Sequence, residues 1–520
     1  MKIMNMKKTF TLLFLVLLLC ICLFSSFSNK HVDVDSIIST RRRIDGHVCN
    51  FIIDGSSGAF NSSTNSFYYS INSIHSNTVS SFKIKSDLGF KYILLDSDIL
   101  NYKDGKVLIY NKKYYQYIDI KFINIPIISI YDNDFNANYS IDKSFDKNLL
   151  DIKSNDDSSI FNSNEKKNMF LTIDLGARQN KYSITGDYHI RGGSSLLFEK
   201  KSYKVNLNKS VYLFDNEKSD EFVLDALYSD PSKIRNKFSS DLWNFINDNQ
   251  SQNNDLYGSF TELYINDEYK GLYVIKNSVD KKFLGVSRDG FVAKPQTDFN
   301  EYFLNSLMSD YYHTNGAMVL NYELKYYYNL SDTYNLFLSK MRRLYQSKFD
   351  YNTVKDIFYL DNYVNYKLFI TLIMGVDNVS KNYYISMKQA NDNLLITPWD
   401  MDLSFGNNWD TNSSNGSSFY FKSYLDLDWI DSYLSRESDE VKKLISSRYK
   451  YLRNSKLTFE HIDEILDSYK ETLLMSGAAQ RDSDLWYEYD IDTEIETIRN
   501  WLDLRLAVLD NYFSTGDYAF

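Results

Sequence analysis

Cysteine is scarce in this sequence of 520 residues, which contains only 3 of them. Cys20 and Cys22 lie in an apolar segment close to the N-terminus, and the third is Cys49. If the N-terminal segment is removed after export, one cysteine remains, and a single cysteine cannot form an intramolecular disulfide. The folded chain must then be stabilised by packing.

Several common catalytic motifs are also absent. The 6 histidines are scattered, without a His-Glu-x-x-His motif or a cysteine cluster, so the sequence does not support zinc chemistry. It has no Gly-x-Ser-x-Gly motif of a serine hydrolase. It also has no Walker A motif, no Gly-x-Gly-x-x-Gly loop and no His-Arg-Asp triplet. These absences disfavour P-loop enzymes and ordinary protein kinases.

The chain has no excess of basic residues. Its 58 Lys and Arg are outnumbered by 68 Asp and Glu, which gives a net charge of −10. Proteins that bind nucleic acids usually present a basic face, so a nucleic acid is a disfavoured partner. Lys200, Lys201 and Lys204 could still form a local basic surface.

The N-terminus has the pattern of a secretory signal peptide. Lys2, Lys7 and Lys8 precede an apolar stretch at residues 10–24, and a polar segment follows. The stretch is shorter than the roughly 18 apolar residues expected of a membrane-spanning helix. We therefore predict an export signal at residues 1–28 and a secreted or cell-surface protein. Because no clear small-residue cleavage site follows, the alternative is an uncleaved anchor, which would be the chain's only contact with a membrane.

Residue patterns divide the rest of the chain into two predicted domains. Short alternating segments separated by Asp, Asn, Ser and Gly predict a β-rich accessory domain, a sandwich, at residues 29–120. Residues 121–520 form the second predicted domain, in which the polar segment 132–168 is interpreted as a surface loop or insertion. Helices are expected at about residues 426–515, so the predicted fold class is α+β.

A helix with one apolar face is predicted near the C-terminus. Its apolar residues recur every three or four positions, which is typical of a stripe that faces a core. Arg499 and Trp501 are therefore interpreted as structural rather than catalytic. The stripe comprises Ile491, Ile495, Ile498, Trp501, Leu502, Leu506 and Leu509.

The candidate chemistry lies in the segment Pro-Trp-Asp-Met-Asp-Leu-Ser-Phe-Gly at residues 398–406. Its acids Asp400 and Asp402 follow Asp377 and Asn382 along the chain. Such oxygen-rich groups suit Mg²⁺ and a nucleotide phosphate, which indicates phosphoryl transfer. The structural alternatives are a solvated Asp-x-Asp turn and, for Asp377, a turn after the apolar run at residues 368–376.

A hairpin is predicted between these acids. Residues 381–387 and 394–397 have strand composition, and the turn-forming sequence Ala-Asn-Asp-Asn lies between them. Pairing of the two strands would bring Asn382 close to Asp400.

These residues, with several other blocks in order, resemble the spore-coat-protein-H (CotH) kinase family of atypical secreted or spore-associated protein kinases. The blocks together cover roughly residues 125–515. They are Ile-Arg-Gly-Gly-Ser-Ser from Ile190, Lys-Lys-Ser-Tyr-Lys-Val-Asn-Leu from Lys200, Tyr-Ser-Asp from Tyr228, Ile-Arg-Asn-Lys from Ile234, Glu-Leu-Tyr-Ile-Asn-Asp-Glu-Tyr-Lys-Gly-Leu-Tyr from Glu262, the acidic blocks, and Arg-Asn-Trp from Arg499 with Leu509 and Asp510.

The resemblance implies an atypical protein-kinase-like fold and roles for the acids. Asp377 takes the place of the catalytic-loop Asp, and Asp400 that of the metal-binding Asp. Asn382 falls where a second metal ligand would lie. Asp402 is a candidate ligand of a second metal ion, or a residue that contacts the ligands of the first ion.

The residues that bind the nucleotide are predicted from strand patterns. Alternation places Lys204 on the polar face of its strand, which makes it the first choice for a phosphate contact, with Lys201 second. Arg191 and the two glycines after it could replace the missing phosphate loop, or form a plain β-turn. Glu262 could pair with the nucleotide lysine, or be a surface strand residue.

The expected function is an atypical kinase that uses ATP with Mg²⁺ or Mn²⁺. It would transfer the γ-phosphoryl group to Ser, Thr or Tyr of surface, coat or secreted proteins. The alternative is a non-catalytic spore-coat or cell-surface protein, structural or adhesive, with the same fold. A third possibility is phosphoryl or nucleotidyl transfer to a sugar or small molecule.

Overall fold

The structure is a computed structural model that describes residues 34–71, 78–132, 139–141, 165–174, 181–214, 217–247, 255–296, 318–319, 322–407 and 427–514. The predicted export signal at residues 1–28 lies outside these residues, as does most of the predicted loop at 132–168. Within the described part, no helix is both long and apolar enough to cross a membrane.

The described residues include 22 strands. In chain order they are β1 (Arg42–Gly46), β2 (Asn50–Ile53), β3 (Ser56–Ser57), β4 (Ala59–Asn61), β5 (Ser66–Ser70), β6 (Phe82–Lys85), β7 (Lys91–Leu94), β8 (Gly105–Tyr110), β9 (Tyr114–Ile123), β10 (Ile127–Asp132), β11 (Tyr139–Ile141), β12 (Lys167–Asp174), β13 (Lys181–Arg191), β14 (Ser202–Phe214), β15 (Glu217–Asp225), β16 (Gly258–Ile265), β17 (Glu268–Asn277), β18 (Phe291–Pro295), β19 (Met318–Val319), β20 (Tyr322–Tyr326), β21 (Tyr383–Met387) and β22 (Leu395–Pro398).

The same residues include ten α-helices. They are α1 (Val34–Ser39), α2 (Arg235–Ile246), α3 (Leu330–Gln346), α4 (Tyr351–Ile357), α5 (Leu360–Ile373), α6 (Leu427–Leu434), α7 (Asp439–Ser455), α8 (Phe459–Met475), α9 (Ala478–Leu485) and α10 (Ile491–Ser514). Short 3-10 helices at Ser97–Asn101, Ser194–Leu197 and Asp377–Val379 complete the set.

The N-terminal region is rich in β-structure, as the sequence predicted. A seven-stranded sheet contains β1, β4, β5, β7, β8, β9 and β11, and a three-stranded sheet contains β2, β3 and β6. Apolar side chains from both sheets, such as Phe51 and Phe67, pack in one core. Strand β11 lies within the segment predicted to be a loop, and its pairing with β1 corrects that prediction at Tyr139–Ile141.

A closed seven-stranded barrel follows, in the order β10-β12-β13-β14-β15-β17-β16. Neighbouring strands are antiparallel except β10 and β16, which are parallel. Alternate side chains fill the interior, and on β14 these are Tyr203, Val205 and Leu207. The predicted alternation of this strand is therefore confirmed, and its polar residues lie on the outside.

The C-terminal part combines a five-stranded sheet, β19-β20-β18-β21-β22, with helices α2 to α10. A single large core joins the sheet, the helices and the outer face of the barrel. All seven residues of the predicted apolar stripe on α10 are buried in it. Arg499 pairs with Asp463 and Asp467 of α8, which agrees with its structural interpretation. The α+β fold class, with β-structure first and helices last, is confirmed.

Candidate functional site

A cavity of about 450 Å³ lies between the barrel and the five-stranded sheet. The barrel contributes the ends of β13 and β15 and the start of β14, and the sheet contributes β18 and β20. The loops on either side of the β21–β22 hairpin complete the lining. Four carboxylates line this acidic cavity: Asp225, Asp377, Asp400 and Asp402.

The hairpin brings the two predicted acidic segments together. Tyr383 pairs with Pro398 at its open end, and the Trp399 N–H donates to the Asn382 carbonyl over 2.9 Å. The predicted hairpin, and the proximity of Asn382 to Asp400, are thus confirmed. Because antiparallel partners lie side by side, residues far apart in sequence reach one edge of the cavity.

The amide of Asn378 holds the two loops in place. Its Nδ2 donates to the carbonyls of Asn382, over 2.7 Å, and of Trp399, over 2.9 Å. Asn382 and Asp400 both have left-handed backbone conformations, with φ of 58° and 57°. Asn and Asp adopt this conformation more readily than other residues with a side chain, and here it turns the chain at both ends of the hairpin's open side.

Asp377 and Asn382 are directly connected. The Asn382 Nδ2 lies 3.4 Å from Asp377 Oδ2 and 3.4 Å from the Asp400 carbonyl oxygen. The Lys381 ammonium lies 3.3 Å from the same Asp377 oxygen. The structure therefore places Asp377, Asn382 and Asp400 in one site, as their order along the chain suggested.

Asp402 accepts a hydrogen bond of 2.6 Å from the Ser229 hydroxyl. Burial and the negative charge of Asp400 raise the pKa of Asp402 to about 8. Both effects oppose the presence of two negative charges so close together. A cation near both carboxylates would remove this penalty.

Asp225 is a carboxylate of the cavity that the sequence reasoning missed. It pairs with Lys276 over 2.6 Å and accepts a hydrogen bond of 2.7 Å from Asn236. Burial acts to raise the pKa of Asp225, but the charge and hydrogen bond of Lys276, together with the charge of Arg191 and the Leu227 N–H, lower it overall. The Lys276 ammonium also lies 4.5 Å from the ring centre of Trp399, and Arg191 lies 5.4 Å from it.

Five cationic residues line the cavity: Arg191, Lys200, Lys294, Lys325 and Lys381. Burial lowers the pKa of Lys294, and the negative charge of Asp400 opposes this shift. A sequence signal for Lys276 and Lys294 did exist. Lys294 is the one cation of β18 and lies between buried Ala293 and Pro295, and Lys276 follows a run of buried apolar residues in β17; a charge in such a position requires a partner.

Three predicted nucleotide contacts are not in the cavity. Lys204 lies outside the barrel, where its ammonium pairs with Glu221 over 2.7 Å. Lys201 donates to the carbonyls of Leu196 and Phe198. Glu262 is fully buried and pairs with Arg481 over 2.8 Å, so it is neither a surface residue nor the partner of a nucleotide lysine. None of these three residues lines the cavity, whereas Arg191 does.

The block that begins at Tyr228 holds together two of the loops that line the cavity. Arg235 is buried, pairs with Asp230 over 2.5 Å and donates to the Ser404 carbonyl over 3.2 Å. It therefore ties the loop that contains Ser229 to the loop that contains Asp400 and Asp402. This block positions the acids and does not itself carry the chemistry.

The donor set suits a metal ion that takes some of its ligands from the protein and the others from a bound phosphate. In the part of the chain that the structure describes, no group of three or more His, Cys, Asp or Glu could hold a metal by itself. Mg²⁺ usually binds one or two carboxylates, retains waters and takes its other ligands from substrate phosphates. Asp400, Asp402 and Asn382 fit this requirement.

Comparisons with known proteins agree with this geometry. The sequence model of a protein family described as "CotH kinase protein" matches residues 188–509, more than half of the chain and nearly all of the cavity. The chain is also 25% identical over 231 residues to "Inner spore coat protein H" of Bacillus subtilis (strain 168). That match covers 44% of this chain and 60% of the relative.

Proposed function

Because this chain belongs to the CotH kinase family, we propose that it transfers the γ-phosphoryl group of ATP to a Ser, Thr or Tyr hydroxyl of a coat, surface or secreted protein. The observation that carries the proposal is the meeting of Asp377, Asn382, Asp400 and Asp402 in one cavity that is also lined by cations. Phosphoryl transfer needs this combination, because it depends on positioning and on charge neutralisation.

Asp400, Asp402 and Asn382 are the residues that would hold Mg²⁺ or Mn²⁺. When bound, such an ion would neutralise charge on the phosphate oxygens. The raised pKa of Asp402 supports this assignment, since its causes are burial and, after it, the charge of the nearby Asp400 carboxylate. Asp225 is held by Lys276 and is assigned a positioning role.

Asp377 would orient the acceptor hydroxyl and accept its proton. It lies at the edge of the cavity with its side chain 21% exposed, so that an acceptor from solvent can reach it. Its pairing with Lys381 holds the carboxylate at this edge, within reach of an acceptor hydroxyl.

Arg191, Lys294 and Lys325 are the proposed phosphate contacts, in place of Lys204 and Lys201. All three line the cavity, and Arg191 stands next to Gly192, which has a φ of 142°. A residue with a side chain at that position would meet the Ser195 hydroxyl at 2.1 Å. The glycine therefore permits the close turn that places Arg191 and the following backbone at the cavity.

The test is incubation of the purified chain with γ-labelled ATP, with Mg²⁺, with Mn²⁺ and without metal, together with a generic protein acceptor. We expect metal-dependent label on the acceptor or on the chain itself. Asp377→Asn and Asp400→Asn should each lower transfer by about 100-fold or more. The matched control is Asp484→Asn, an exposed aspartate of α9, which should transfer normally.

A parallel incubation with α-labelled ATP distinguishes nucleotidyl transfer, because AMP on the acceptor would then carry the label. Absence of any transfer and of metal-dependent ATP binding would favour the second candidate function, a non-catalytic coat or adhesion protein. The printed name of the Bacillus relative, a spore coat protein, supports that candidate and suggests a spore-associated location. Unchanged coat incorporation of the Asp400→Asn variant would support it further.

A further inference from the structure

A second cavity, of about 270 Å³, lies on the other side of the turn that contains Asp377. Its walls are mostly aromatic and come from α3, α5, α6, β20 and β21. Val379 and Ser380 also line it, whereas Asp377, Lys381 and Asn382 line the acidic cavity. The two cavities are therefore separated by one short turn.

Most polar groups of this aromatic cavity already have partners. The Lys367 ammonium lies 2.7 Å from Glu437 Oε1, and the Tyr363 hydroxyl donates to the same carboxylate over 2.9 to 3.0 Å. The hydroxyls of Tyr322 and Tyr383 are 2.7 Å apart. Each of these groups therefore already has a partner within the protein.

Two groups differ from the rest. Tyr433 is 91% buried, since 9% of its surface is exposed, and its hydroxyl has no hydrogen-bond partner among the described residues. Arg436 lies at the exposed rim and makes no ion pair within the described ranges. A buried hydroxyl without a partner is uncommon, because native proteins satisfy nearly all of their buried polar atoms.

The charge of the lining favours an anion. Lys367 and Glu437 neutralise each other, so that Arg436 leaves one net positive charge at the rim. Burial and the nearby Glu437 carboxylate raise the pKa of Tyr433, so its hydroxyl stays protonated and can donate. The volume is slightly below the roughly 300–1,000 Å³ of pockets for drug-sized ligands, which suits one or two fused rings.

We propose that this aromatic cavity binds a small aromatic carboxylic acid. The ring lies among the aromatic walls, the Tyr433 hydroxyl donates to an acceptor atom of the ligand, and Arg436 pairs with the carboxylate. The site is distinct from the acidic cavity, and it needs neither ATP nor a metal. An occupant would contact Val379 and Ser380, which belong to the turn after Asp377.

The probe is indole-3-acetate, titrated into the full chain by isothermal calorimetry without ATP or divalent metal. We expect saturable binding at one site with a Kd of about 10–500 µM. Indole-3-acetamide has the ring without the charge, and cyclohexylacetate has the charge without the aromatic ring. Each should bind about tenfold more weakly.

Two variants assign the contacts. Tyr433→Phe keeps the ring and removes only a hydroxyl without a partner, so it should fold normally and bind about three- to tenfold more weakly. Arg436→Gln should bind the acetate no better than the acetamide. Arg343→Gln, which removes an exposed arginine paired with Asp356 on another face, is the control and should bind normally.

The proposal would be overturned if a sample that unfolds cooperatively on heating gave no saturable binding heat up to about 5 mM probe. Binding that both variants leave unchanged would also overturn it. Neither result depends on phosphoryl transfer, so failure of this site and failure of the proposed kinase activity are separate outcomes.

Discussion

Asn378 lies between the two loops that present the acids, and its side-chain amide holds these loops in position. It is buried, and it donates to carbonyls of both loops at the open end of the hairpin. Another side-chain amide that donates to two carbonyls lies at the turn of the same hairpin. Asn393 donates to the carbonyls of Lys355, over 3.0 Å, and Phe358, over 3.1 Å.

We predict that Asn378→Ala lowers the free energy of unfolding by about 1–3 kcal/mol, because the buried Trp399 carbonyl loses its donor and the Asn382 carbonyl keeps only the Trp399 N–H. It should also weaken ATP binding by at least about tenfold, because Asn382 and Asp400 are no longer held. Urea unfolding and ATP titration measure the two effects. Asn393→Ala is the matched control, and it should lower stability while ATP binding stays normal. Equal effects of both variants on ATP binding would contradict the role given to Asn378.

At the scale of elements, the buried carboxylate of Asp482 joins helix α9 to the barrel. Asp482 lies 2.6 Å from the Lys200 ammonium and 3.7 Å from that of Lys233, and it accepts the Leu272 N–H over 2.8 Å. All three charged side chains are fully buried. Burial lowers the pKa of Lys233 to about 8, which shows how weakly the protein solvates this cation. Gly271 beside it has a φ of +103°, and a Cβ there would lie 2.3 Å from Asp482 Oδ1.

Replacement of Asp482 by Leu should therefore leave two lysines buried without a counter-charge. We predict a loss of about 3–5 kcal/mol in the free energy of unfolding, measured by urea denaturation. Asp484→Leu changes an exposed aspartate of the same helix and should cost less than about 1 kcal/mol. A loss below 1 kcal/mol for Asp482→Leu would show that the helix is held mainly by its apolar face.

At the scale of the whole molecule, the N-terminal β-rich region is attached to the barrel through polar contacts. His47 Nδ1 lies 2.6 Å from Asp267 Oδ2 in the turn between β16 and β17, and His47 Nε2 lies 2.9 Å from Asn50 Oδ1. The Ser56 hydroxyl donates to Asp174 at the end of β12 over 2.5 Å. Burial alone would lower the pKa of His47, but the hydrogen bond and charge of Asp267 outweigh it and raise the pKa.

This shift predicts a pH dependence of stability. A histidine whose folded pKa is raised contributes stability that is fully present below its unfolded pKa, near 6.5, and is lost as the pH rises through the folded pKa. Thermal unfolding of the wild type should therefore show a downward step in midpoint above about pH 6.5, and His47→Gln should not show it. His461→Gln, on α8, is the control and should keep the step. A step that persists in His47→Gln would assign it to another group.

Part of the site was predictable because the relevant signals are local in sequence. The hairpin follows from two strand-forming segments around the turn residues at 390–393, and it is enough to bring Asn382 to Asp400. The buried stripe of α10 follows from the helical period. The resemblance to the CotH family rested on blocks in order, and the family match over residues 188–509 confirmed it.

The sequence by itself determined the α+β class, the alternation of β14 and the grouping of Asp377, Asn382 and Asp400. Only the tertiary structure decided which cations join them. Alternation shows that Lys204 and Lys276 each leave the barrel interior, but it cannot show what covers the outside of each strand. Closure of the barrel and packing of the five-stranded sheet turn Lys276 toward Asp225 and Trp399, and leave Lys204 beside Glu221. The contacts of Lys276 join residues more than fifty positions apart, so no local pattern encodes them.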